Sequence, residues 1–563
     1  MRFEYTPFPE DPEEMAWHRA LCRLPLIATW SVLLIMGISV FAFPYLGAAL
    51  IIAFLLFYVF RLAYYGLFLA VAFLRVLSEE RSSWMERLRD LAATASPASR
   101  KKGGKSRFGN RIASLLHAQV VESCRPPAAP LPELERLLHL VIIPVANEDR
   151  KVYEPALRAL AAGSLDPKRH MIVVLAVEAR FTARVSAQAE AARREYRDAF
   201  RDFLVVSHPA DLPGEVPGKG SNVGYAASTM TEYFLGHSLD PSDVVLTCID
   251  ADAVVGREYF ACLSYYWLAE PDRVRCCFQP LPVFGNNIWK TNPLVRVIEM
   301  SATLLQMIDS TSVDTLVSFS CYSYGFSTLE QAGFWPPDVI GEDAAVFWKT
   351  FLHYGGDFRA IPLPVTVSMD AAEGRTFWKA LGAAYRQKLR WAYGTENLAI
   401  VFRGLFRHNL VRGRRRRQAI LKFTDNALAQ ATWPIILSVL IWLPQVQQVL
   451  AKGNLLPMNG LGTVTTVVLE LSTIFLALMG LATGVFAFRG SRGIPAWRKA
   501  LYPLEWLIVF PVASIVLGAA PAIHAQAKLA FRKAIIYVPM EKLRGETAGT
   551  AKWETENAVP GRT

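Results

Sequence analysis

The stretch DVVLTCIDAD, residues 243–252, decides the fold of the central part of this chain. Its first seven residues are mostly apolar and β-branched, which predicts a buried strand that ends at the DAD triplet. Two earlier runs, LVIIPV at residues 140–145 and MIVVLAV at residues 171–177, predict further strands buried on both faces. A helical sequence, rich in Ala, Arg and Glu, follows at residues 183–203. This alternation predicts an α/β domain with a mixed, mostly parallel, doubly wound sheet and helices on both faces.

A ligand site is predicted at one edge of this sheet. Doubly wound sheets bind ligands beyond the carboxyl ends of their strands. Asp250 and Asp252 lie at the end of one predicted strand, and the VANE turn, residues 145–148, lies at the end of another. We therefore expect polar side chains from both turns to meet at this edge.

Apolar segments long enough to cross a bilayer flank the α/β region. The chain has 563 residues, of which 52% are hydrophobic, and a mean hydropathy of +0.24. About 20 residues at a rise of about 1.5 Å cross the roughly 30 Å hydrocarbon core. Predicted spans cover residues 24–43, 46–74, 427–446, 461–488 and 500–523. Arg61 interrupts the second span, and we expect it to reach an interface or to face protein.

The basic residues lie next to the predicted spans. The net charge is +11, and basic clusters occupy residues 101–107, 412–417 and 489–499. This placement is the positive-inside pattern, which puts these loops on the cytoplasmic face and favours membrane topology over nucleic-acid binding. The seven cysteines include no CxxC pair, so neither a zinc site nor a disulfide framework is indicated.

The side of the C-terminus stays open at this level. Three spans after a cytoplasmic domain would place the C-terminus outside, whereas four basic residues between positions 528 and 542 favour the inside. Three prolines between positions 503 and 521 would let the last apolar stretch fold as a re-entrant element. The sequence therefore permits five spans, or four spans and a re-entrant segment.

Three short motifs follow one another along the central region. They are DAD at residues 250–252, GED at residues 341–343 and QKLRW at residues 387–391, separated by about ninety and about forty-five residues. In this order and spacing they resemble the D, D, D, Q-x-x-R-W set of membrane-embedded, processive family 2 glycosyltransferases. Cellulose, hyaluronan, chitin and β-mannan synthases belong to that group. The resemblance extends over roughly residues 140–394 and the placement of spans on both sides.

The resemblance implies a GT-A-type glycosyltransferase domain inserted between α-helical transmembrane segments. It implies inverting, metal-dependent transfer from a UDP-sugar or GDP-sugar to a growing polysaccharide, at the cytoplasmic face of a bacterial inner membrane. It also implies that the helices lie among membrane lipids and conduct the polymer outward. A second copy of the chain or an accessory export subunit is a further expected partner. Nucleic acid is not expected.

We expect five regions along the chain. They are an N-terminal tail with two membrane helices at residues 1–75, a cytoplasmic linker at 76–130, the GT-A domain at 131–410, a C-terminal membrane region of about three spans or re-entrant segments at 411–530, and a polar tail at 531–563.

The acidic motifs carry the expected chemistry. Asp250 and Asp252 are hard oxygen ligands that suit Mg²⁺ or Mn²⁺, and the metal would neutralise a nucleoside diphosphate leaving group. Asp250 is also expected to contact the donor. Asp343 is the expected general base that takes the acceptor hydroxyl proton, and Glu342 would assist it by setting its charge or orientation. The structural alternatives are a solvated turn for the DAD carboxylates and a helix N-cap for Asp343.

QKLRW predicts a helix with one functional face. Gln387, Arg390 and Trp391 stand at positions i, i+3 and i+4, which share a helix face. Arg390 would hold the diphosphate in a forked contact, Gln387 would hydrogen-bond the donor, and Trp391 would offer an apolar plane to the acceptor sugar. The alternative is an amphipathic helix with a tryptophan in the core.

Further residues match the resemblance one by one. Asn147 and Glu148, in VIIPVANE, match a strand and turn that line the nucleotide pocket, and Lys219, in GKGSN, matches a segment near the donor. Glu178 stands where the family usually carries an Asp pair, and we expect it to contact the nucleotide. Trp335 is expected on the acceptor path, with core packing as the alternative.

Two other functions compete with polysaccharide synthesis. One is a non-processive transferase that adds a single sugar to a membrane lipid, as in the ceramide glucosyltransferases, which share similar motifs. The other is a membrane transporter or scaffold whose domain binds a nucleotide sugar without catalysis. Spans on both sides of the domain favour the synthase, because a polymer channel needs helices.

Overall fold

The fold is known from a computed structural model. It describes residues 3–79, 82–94, 111–123, 133–180, 183–312, 314–450, 461–488 and 494–533. The basic loop at residues 101–107, the first part of the basic segment at 489–499 and nearly all of the polar tail at 531–563 lie outside the described residues.

An eight-stranded mixed sheet forms the centre of the α/β region. Its strands are β1 Leu138–Val145, β2 Met171–Glu178, β3 Asp202–His208, β4 Val244–Cys248, β5 Val254–Val255, β6 Cys276–Val283, β7 Tyr322–Gly325 and β8 Arg359–Ser368. The order is β3-β2-β1-β4-β7-β6-β8-β5. The half from β3 to β4 is parallel throughout, while β7 runs antiparallel to both of its neighbours and β5 runs antiparallel to β8.

Nineteen α-helices lie within the described residues. They are α1 Pro12–Ala42, α2 Pro44–Glu79, α3 Trp84–Thr94, α4 Arg111–Ser123, α5 Arg150–Ala161, α6 Pro167–His170, α7 Ala183–Tyr196, α8 Lys219–Gly236, α9 Tyr259–Ala269, α10 Pro293–Asp309, α11 Phe326–Ala332, α12 Glu342–His353, α13 Phe377–Tyr393, α14 Glu396–Phe406, α15 Gly413–Ser438, α16 Leu443–Leu450, α17 Leu461–Ala487, α18 Ala496–Ser514 and α19 Ala520–Ala530.

The three strands predicted from apolar runs are β1, β2 and β4, and the α/β class is confirmed. The predicted helix at residues 183–203 is wrong at its end, because α7 stops at Tyr196 and residues 202–208 form β3 at the sheet edge. The β-branched and aromatic residues of DFLVVSH pair in parallel with β2 after a short turn. Because the sequence just before them is rich in Ala and Arg, it predicts that the helix continues, and the switch from a helical to a strand pattern is not evident from the sequence.

Successive residues of the central strands enter different cores, as the period of a strand requires. Val141 and Ile143 of β1 belong to the core shared with α5, α7 and α9. Leu140 and Ile142 belong to the core shared with α8, α11, α12 and α14. Helices therefore cover both faces of the sheet, and its buried parallel half holds the turns at the ends of β1, β2 and β4 in fixed positions.

Five helical stretches are long and apolar enough to cross a membrane. They are Pro12–Ala42, Pro44–Glu79, Gly413–Leu450, Leu461–Ala487 and Ala496–Ala530. Each contains one of the predicted apolar segments, apart from the final residues of the segments at 24–43 and 461–488. The last stretch is continuous from α18 through a π-helical turn at Ile515–Ala519 into α19, which favours a fifth span over a re-entrant element.

Arg61 of α2 faces protein within this membrane region. Its guanidinium forms an ion pair with Asp425 of α15 and lies 5.0 Å from the Tyr65 ring centre and 5.6 Å from that of Trp433. A charge in a membrane-spanning helix needs such a partner, because transfer of an unpaired charge into hydrocarbon costs several kcal/mol.

Helix α10 connects the sheet domain to the fifth apolar stretch. The Arg296 guanidinium donates from Nη1 to both carboxylate oxygens of Glu505 in α18, each at 2.7 Å. Just before α10, the Trp289 indole N–H donates to the Ala487 carbonyl of α17 at 2.7 Å. Since α10 also packs against α13, these bonds set the position of the QKLRW helix relative to the apolar helices.

Candidate active site

A cavity of about 220 Å³ opens at the carboxyl ends of β1, β2 and β4. Its wall contains Glu148, Glu178, Asp250 and Asp252 from these three strand ends. The remaining wall comes from the start of α8, the loop at residues 318–320, the start of α12, the strand end near Asp370 and the last turns of α13. The cavity therefore lies at the edge where the sequence predicts a ligand.

Lys219 holds the acidic motifs together at the floor of this cavity. Its ammonium nitrogen is 2.7 Å from Asp250 Oδ1, 2.8 Å from Asp343 Oδ1 and 3.6 Å from Glu342 Oε1. The sequence assigned Lys219 to the donor, whereas its direct contacts in this structure are with the DAD and GED carboxylates. One buried cation thus joins two motifs that are about ninety residues apart in the chain.

Small residues permit the close approach of these elements. A Cβ at Gly220, in the first turn of α8, would lie 2.8 Å from the Glu342 Cβ, which is too close for any side chain. A Cβ at Gly341 would lie 3.1 Å from the Gly394 Cα, next to the end of α13. The glycines of GKG and GED therefore allow α8, α12 and α13 to meet at the cavity.

Charges within this cluster change its proton affinities. Burial alone would lower the pKa of Lys219, but the carboxylates of Asp250 and Asp343 outweigh it and raise that pKa well above its ordinary value. For Asp250, burial would raise the pKa, but the charge and hydrogen bond of Lys219 lower it overall, with further help from Ser320 and Arg390. Lys219 therefore stays charged and Asp250 ionised near neutral pH.

Ser320 is a site residue that the sequence did not reveal. Its backbone N–H donates to Asp343 Oδ2 at 2.9 Å, its hydroxyl donates to Asp250, and its carbonyl accepts from Lys219 at 3.2 Å. It has a positive φ of 60°, a conformation that is rare for residues other than glycine and often found at functional sites. Serines are common in loops, so no sequence signal marked this one.

Glu342 and Asp343 lie in the first turn of α12, and Gly341 is the N-cap. The alternative that Asp343 is itself the N-cap is therefore wrong. Glu342 is 5% exposed, and burial together with the neighbouring Asp343 charge raises its pKa to about 7. Near neutral pH, Glu342 is thus divided between its protonated and ionised forms, directly beside the expected base.

The second DAD carboxylate, Asp252, is buried and held by backbone. Asp252 Oδ2 accepts from the Asp370 N–H at 3.2 Å. No group of three or more acidic, histidine or cysteine side chains is arranged around a metal position in the part of the chain that the structure describes. Two carboxylates at one turn fit Mg²⁺ or Mn²⁺ when phosphate oxygens and water supply the other ligands, which is how magnesium is often bound.

The QKLRW helix places its predicted face on the cavity. Gln387, Arg390 and Trp391 of α13 all line it. Gln387 is 9% exposed, and its side-chain oxygen is buried without a hydrogen-bond partner among the described residues. Because buried polar atoms are nearly always satisfied, this oxygen fits a ligand group that donates a hydrogen bond into the cavity.

Trp391 belongs to an aromatic wall. Its ring centre is 5.9 Å from that of Phe284 and 5.3 Å from that of Phe319, and both phenylalanines also line the cavity. Phe284 follows β6 and Phe319 precedes Ser320, so each comes from the half of the sheet that contains antiparallel strands. The sequence identified only the tryptophan of this wall.

Glu178 lies at the cavity with two partners that the sequence did not indicate. Its Oε2 is 2.9 Å from Arg180 Nε and 3.3 Å from His208 Nδ1. His208 Nε2 is 2.8 Å from Glu215. Burial alone would lower the pKa of His208, but the two carboxylates outweigh it and raise that pKa. These contacts hold Glu178 at the end of β2, where the nucleotide is expected.

Two of the expected residues do not line the cavity. Asn147 is buried beside Glu148, and of the two only Glu148, which accepts from the Ala146 N–H at 2.7 Å, is on the wall. Trp335 is 3% exposed in the core on the α8 side of the sheet, where its indole N–H donates to the Tyr322 hydroxyl at 2.9 Å. Its surroundings match the core-packing alternative.

Comparison with known families gives a match over residues 245–509 to the model described as glycosyl transferase family group 2. The matched region begins in β4 and ends in α18, so it includes DAD, GED, QKLRW and the first part of the C-terminal apolar stretches. The resemblance to family 2 is thereby confirmed. A comparison with curated proteins gives no significant match.

Solved structures of glycosyltransferases resemble the chain at low identity. A mannosyltransferase from Pyrobaculum calidifontis, in complex with GDP-Man and Mn²⁺, has 14% identity and a TM-score of 0.36, covering 77% of this chain and 98% of its own. TarS 1–349 from S. aureus with UDP-GlcNAc has 12% identity and a TM-score of 0.31, covering 67% and 91%. GalNAc-T7 with UDP, GalNAc and Mn²⁺ has 11% identity and a TM-score of 0.29, covering 54% and 58%.

The family match carries the assignment. Residues 245–509 match the family 2 glycosyltransferases, the sheet domain has the expected GT-A-type fold, and the chain is an enzyme of the glycosyltransferase class. The non-catalytic transporter or scaffold has no support from this match.

Proposed function

We propose that this family 2 glycosyltransferase takes sugars from a UDP-sugar or GDP-sugar and adds them to a growing polysaccharide at the cytoplasmic membrane face. One observation carries the proposal. Asp250, Asp252, Asp343, Arg390 and Trp391, from three motifs spread over about 140 residues, all line one cavity. The domain that contains this cavity is preceded and followed along the chain by long apolar helices.

The donor diphosphate would lie between the DAD turn and α13. Asp250 and Asp252 would hold Mg²⁺ or Mn²⁺, which when bound supplies positive charge to the leaving diphosphate. Arg390 would donate a forked pair of hydrogen bonds to the phosphates, and the unpartnered Gln387 oxygen would accept from a sugar hydroxyl. Glu148, Glu178 and the adjacent Asn147 turn would border the nucleoside.

Asp343 is the proposed base. The acceptor hydroxyl oxygen attacks the anomeric carbon, the bond from that carbon to the phosphate oxygen breaks, and the hydroxyl proton passes to the Asp343 carboxylate. The Ser320 N–H and the Lys219 ammonium, at 2.9 Å and 2.8 Å, fix the direction in which this carboxylate points. Glu342 sits beside it and adjusts the charge of the cluster.

The acceptor would lie against the aromatic wall. The Trp391 ring, with Phe284 and Phe319 beside it, offers flat apolar surface to the C–H face of a sugar. Trp335, which is buried in the core, would contribute only indirectly, through its hydrogen bond to Tyr322, whose ring centre is 5.7 Å from Lys219 Nζ.

We propose a tail and two membrane helices in residues 1–75, a linker in 76–130, a cytoplasmic catalytic domain in 131–410, a membrane region in 411–530 and a polar tail in 531–563. Basic residues at 412–417, next to the apolar part of α15, support a cytoplasmic orientation in a bacterial inner membrane. The five apolar stretches would form the export path. A second copy of the chain or an accessory subunit would supply further helices if the path requires more than five.

A donor panel tests this function. Membranes that contain the full chain are incubated with radiolabelled UDP-glucose, UDP-N-acetylglucosamine and GDP-mannose in the presence of Mn²⁺ or Mg²⁺, and the products are separated by size. Membranes with the Asp343→Asn variant are the matched control. We expect one donor to be consumed into a polymer of many sugars, and no polymer from the variant. A lipid that carries a single sugar would establish the non-processive alternative instead, and equal product from the variant would exclude Asp343 as the base.

A further inference from the structure

A buried ion pair lies directly behind the Trp391 ring. Lys388 Nζ is 2.7 Å from Glu299 Oε2 of α10 and 3.7 Å from the centre of the Trp391 ring. Lys388 is 5% exposed and Glu299 is fully buried. Lys388 is a variable position of the Q-x-x-R-W pattern, and neither the motif nor the proposed chemistry gives it a role.

The location of this lysine needs a physical reason. A lysine normally places its ammonium in water while its stem lies on apolar surface. Here Glu299 draws the ammonium inward, and burial of both charges costs free energy that their attraction often only just offsets. A pair of apolar residues would serve packing at least as well, so stability alone is a weak explanation for this pair.

The ammonium is placed where it acts on aromatic rings. Lys388 and Trp391 are three residues apart on α13, so their side chains are neighbours on the helix surface. Nζ also lies 5.8 Å from the centre of the Phe284 ring, and Phe284 contacts Trp391 on the cavity wall. A cation is attracted to the face of an indole, and the attraction is strongest where water is excluded. The cation therefore favours one orientation of the ring that lines the cavity.

We propose that Lys388, oriented by Glu299, is a positioning residue that fixes the plane of Trp391 against the acceptor sugar. Lys388 does not line the cavity, so it acts through Trp391. The inference rests on the proposed function, in which Trp391 contacts the acceptor. It predicts that loss of the ion pair impairs use of the acceptor and leaves donor binding intact.

The test removes both charges at once, so that no buried charge is left unpaired. The Glu299→Gln/Lys388→Met double variant of the full chain is assayed in detergent with saturating donor and with short β-linked gluco- and manno-oligosaccharides as acceptors. We expect the acceptor kcat/KM to fall by about ten-fold or more, because small displacements at a reacting centre have large effects on rate. The Kd of UDP and GDP with Mn²⁺ should stay within about two-fold of that of the wild type. Lys388→Arg, which keeps a cation over the ring, should retain most of the activity.

Lys422→Met is the matched control. Like Lys388, Lys422 lies off the cavity wall and pairs with an acidic residue of α10, Asp309 at 3.1 Å, but it belongs to α15 and not to the QKLRW helix. Its replacement should leave the acceptor kcat/KM within about two-fold of the wild type, since the ion pair is partly exposed.

A double-mutant cycle separates positioning from general destabilisation. In a Trp391→Ala background the Glu299→Gln/Lys388→Met change should cause no further loss, because the ring through which Lys388 acts is gone. A full additional loss in that background, wild-type acceptor use by the double variant, or a parallel loss of nucleotide affinity would each overturn the inference. If Trp391→Ala alone transfers as well as the wild type, the acceptor role in the proposed function fails, and this inference fails with it.

Discussion

Two buried lysines at the site, Lys219 and Lys388, have pKa values that are shifted in opposite directions. Lys219 has carboxylate oxygens at 2.7, 2.8 and 3.6 Å, and its pKa is raised well above the ordinary value despite its burial. Lys388 has one carboxylate at 2.7 Å, and burial, only partly opposed by Glu299, lowers its pKa. Burial acts in the same direction on both lysines, so the number of nearby carboxylates decides the sign of the shift.

The two lysines serve two different tasks within one site. The Lys219 region concentrates charge around Asp250 and Asp343, where a diphosphate leaves and a proton is transferred. The Lys388 region places a single ion pair behind the aromatic rings. The apolar face of a sugar would lie on the cavity side of the same rings. If this division is correct, changes in the first region should abolish chemistry, and changes in the second should affect the acceptor alone.

Asp343→Asn should have the largest effect. We expect transfer to fall by about a thousand-fold, since an amide cannot accept the proton and general base catalysis typically contributes factors of this order. UDP and GDP affinity should change little, because the expected defect is chemical. Transfer near the wild-type rate would remove Asp343 from the chemistry and with it the distinction between the two regions.

Lys219→Met should have the next largest effect. It leaves Asp250, Asp343 and Glu342 without their shared cation, so we expect transfer to fall by about a hundred-fold, weaker nucleotide binding and a lower Tm. Lys349→Met is the matched control, because the Lys349 ammonium donates to the Gly333 and Phe334 carbonyls, at 2.6 and 3.0 Å, and the residue is not on the cavity wall. A Lys219→Met enzyme that binds nucleotide and transfers as well as this control would show that the three carboxylates do not depend on the lysine.

Metal removal should test the role of Asp252 as a metal ligand. A chelator is expected to stop transfer, and added Mn²⁺ or Mg²⁺ should restore it. Asp252→Asn should raise the metal concentration needed for half-maximal activity by about ten-fold, because one hard oxygen ligand becomes neutral. Binding of UDP measured by calorimetry with and without Mn²⁺ provides a readout besides activity. Metal-independent transfer by the wild type would contradict the role given to the DAD carboxylates.

The pH dependence of stability should report Glu342. Its folded-state pKa of about 7 lies above the ordinary value of 4.5, so the folded chain retains a proton that the unfolded chain releases within this interval. The free energy of unfolding should therefore fall as pH rises from about 4.5 to about 7, by about 1 kcal/mol per pH unit, and this contribution should level off above that range. Thermal unfolding of the wild type and Glu342→Gln in detergent measures it. Parallel pH curves for the two proteins would mean that the Glu342 pKa is not raised.

Trp335→Phe should have the smallest effect on transfer. The residue packs in the core and gives one hydrogen bond to Tyr322, so we expect transfer within about two-fold of the wild type and a stability loss of about 1 kcal/mol. Acceptor kinetics and Tm check the two parts. A selective loss of acceptor use would restore Trp335 to the acceptor path.

The parallel half of the sheet was predictable because its physics is local. Runs such as LVIIPV and MIVVLAV can be buried on both faces only as central strands, and DAD and VANE follow at their carboxyl ends. The spacing of QKLRW likewise placed Gln387 and Trp391 on one helix face without knowledge of any contact. The edge strand β3 was missed because its neighbours are rich in helix-forming residues, so only its pairing with β2 identifies it.

The remaining half of the site depends on long-range packing. Ser320, Phe319 and Asp370 come from loops and a strand end that have no distinctive local pattern, and the fold brings them to Asp343, Trp391 and Asp252. The contact of Glu178 with His208 depends on the pairing of β2 with β3, which sets the two residues opposite each other. Trp335 is the opposite case: it is close to the GED motif in sequence, but the fold places it in the core and away from the cavity wall.

The amino-acid order by itself determined the apolar segments, the buried strands and the acidic and QKLRW motifs, because each depends on composition and on the period of a single element. Only the tertiary structure decided that one ammonium lies between the DAD and GED carboxylates and that another lies behind the Trp391 ring. Electrostatic interactions act between groups that are close in space, and closeness in space between α8, α10, α12 and α13 follows from how the whole domain packs.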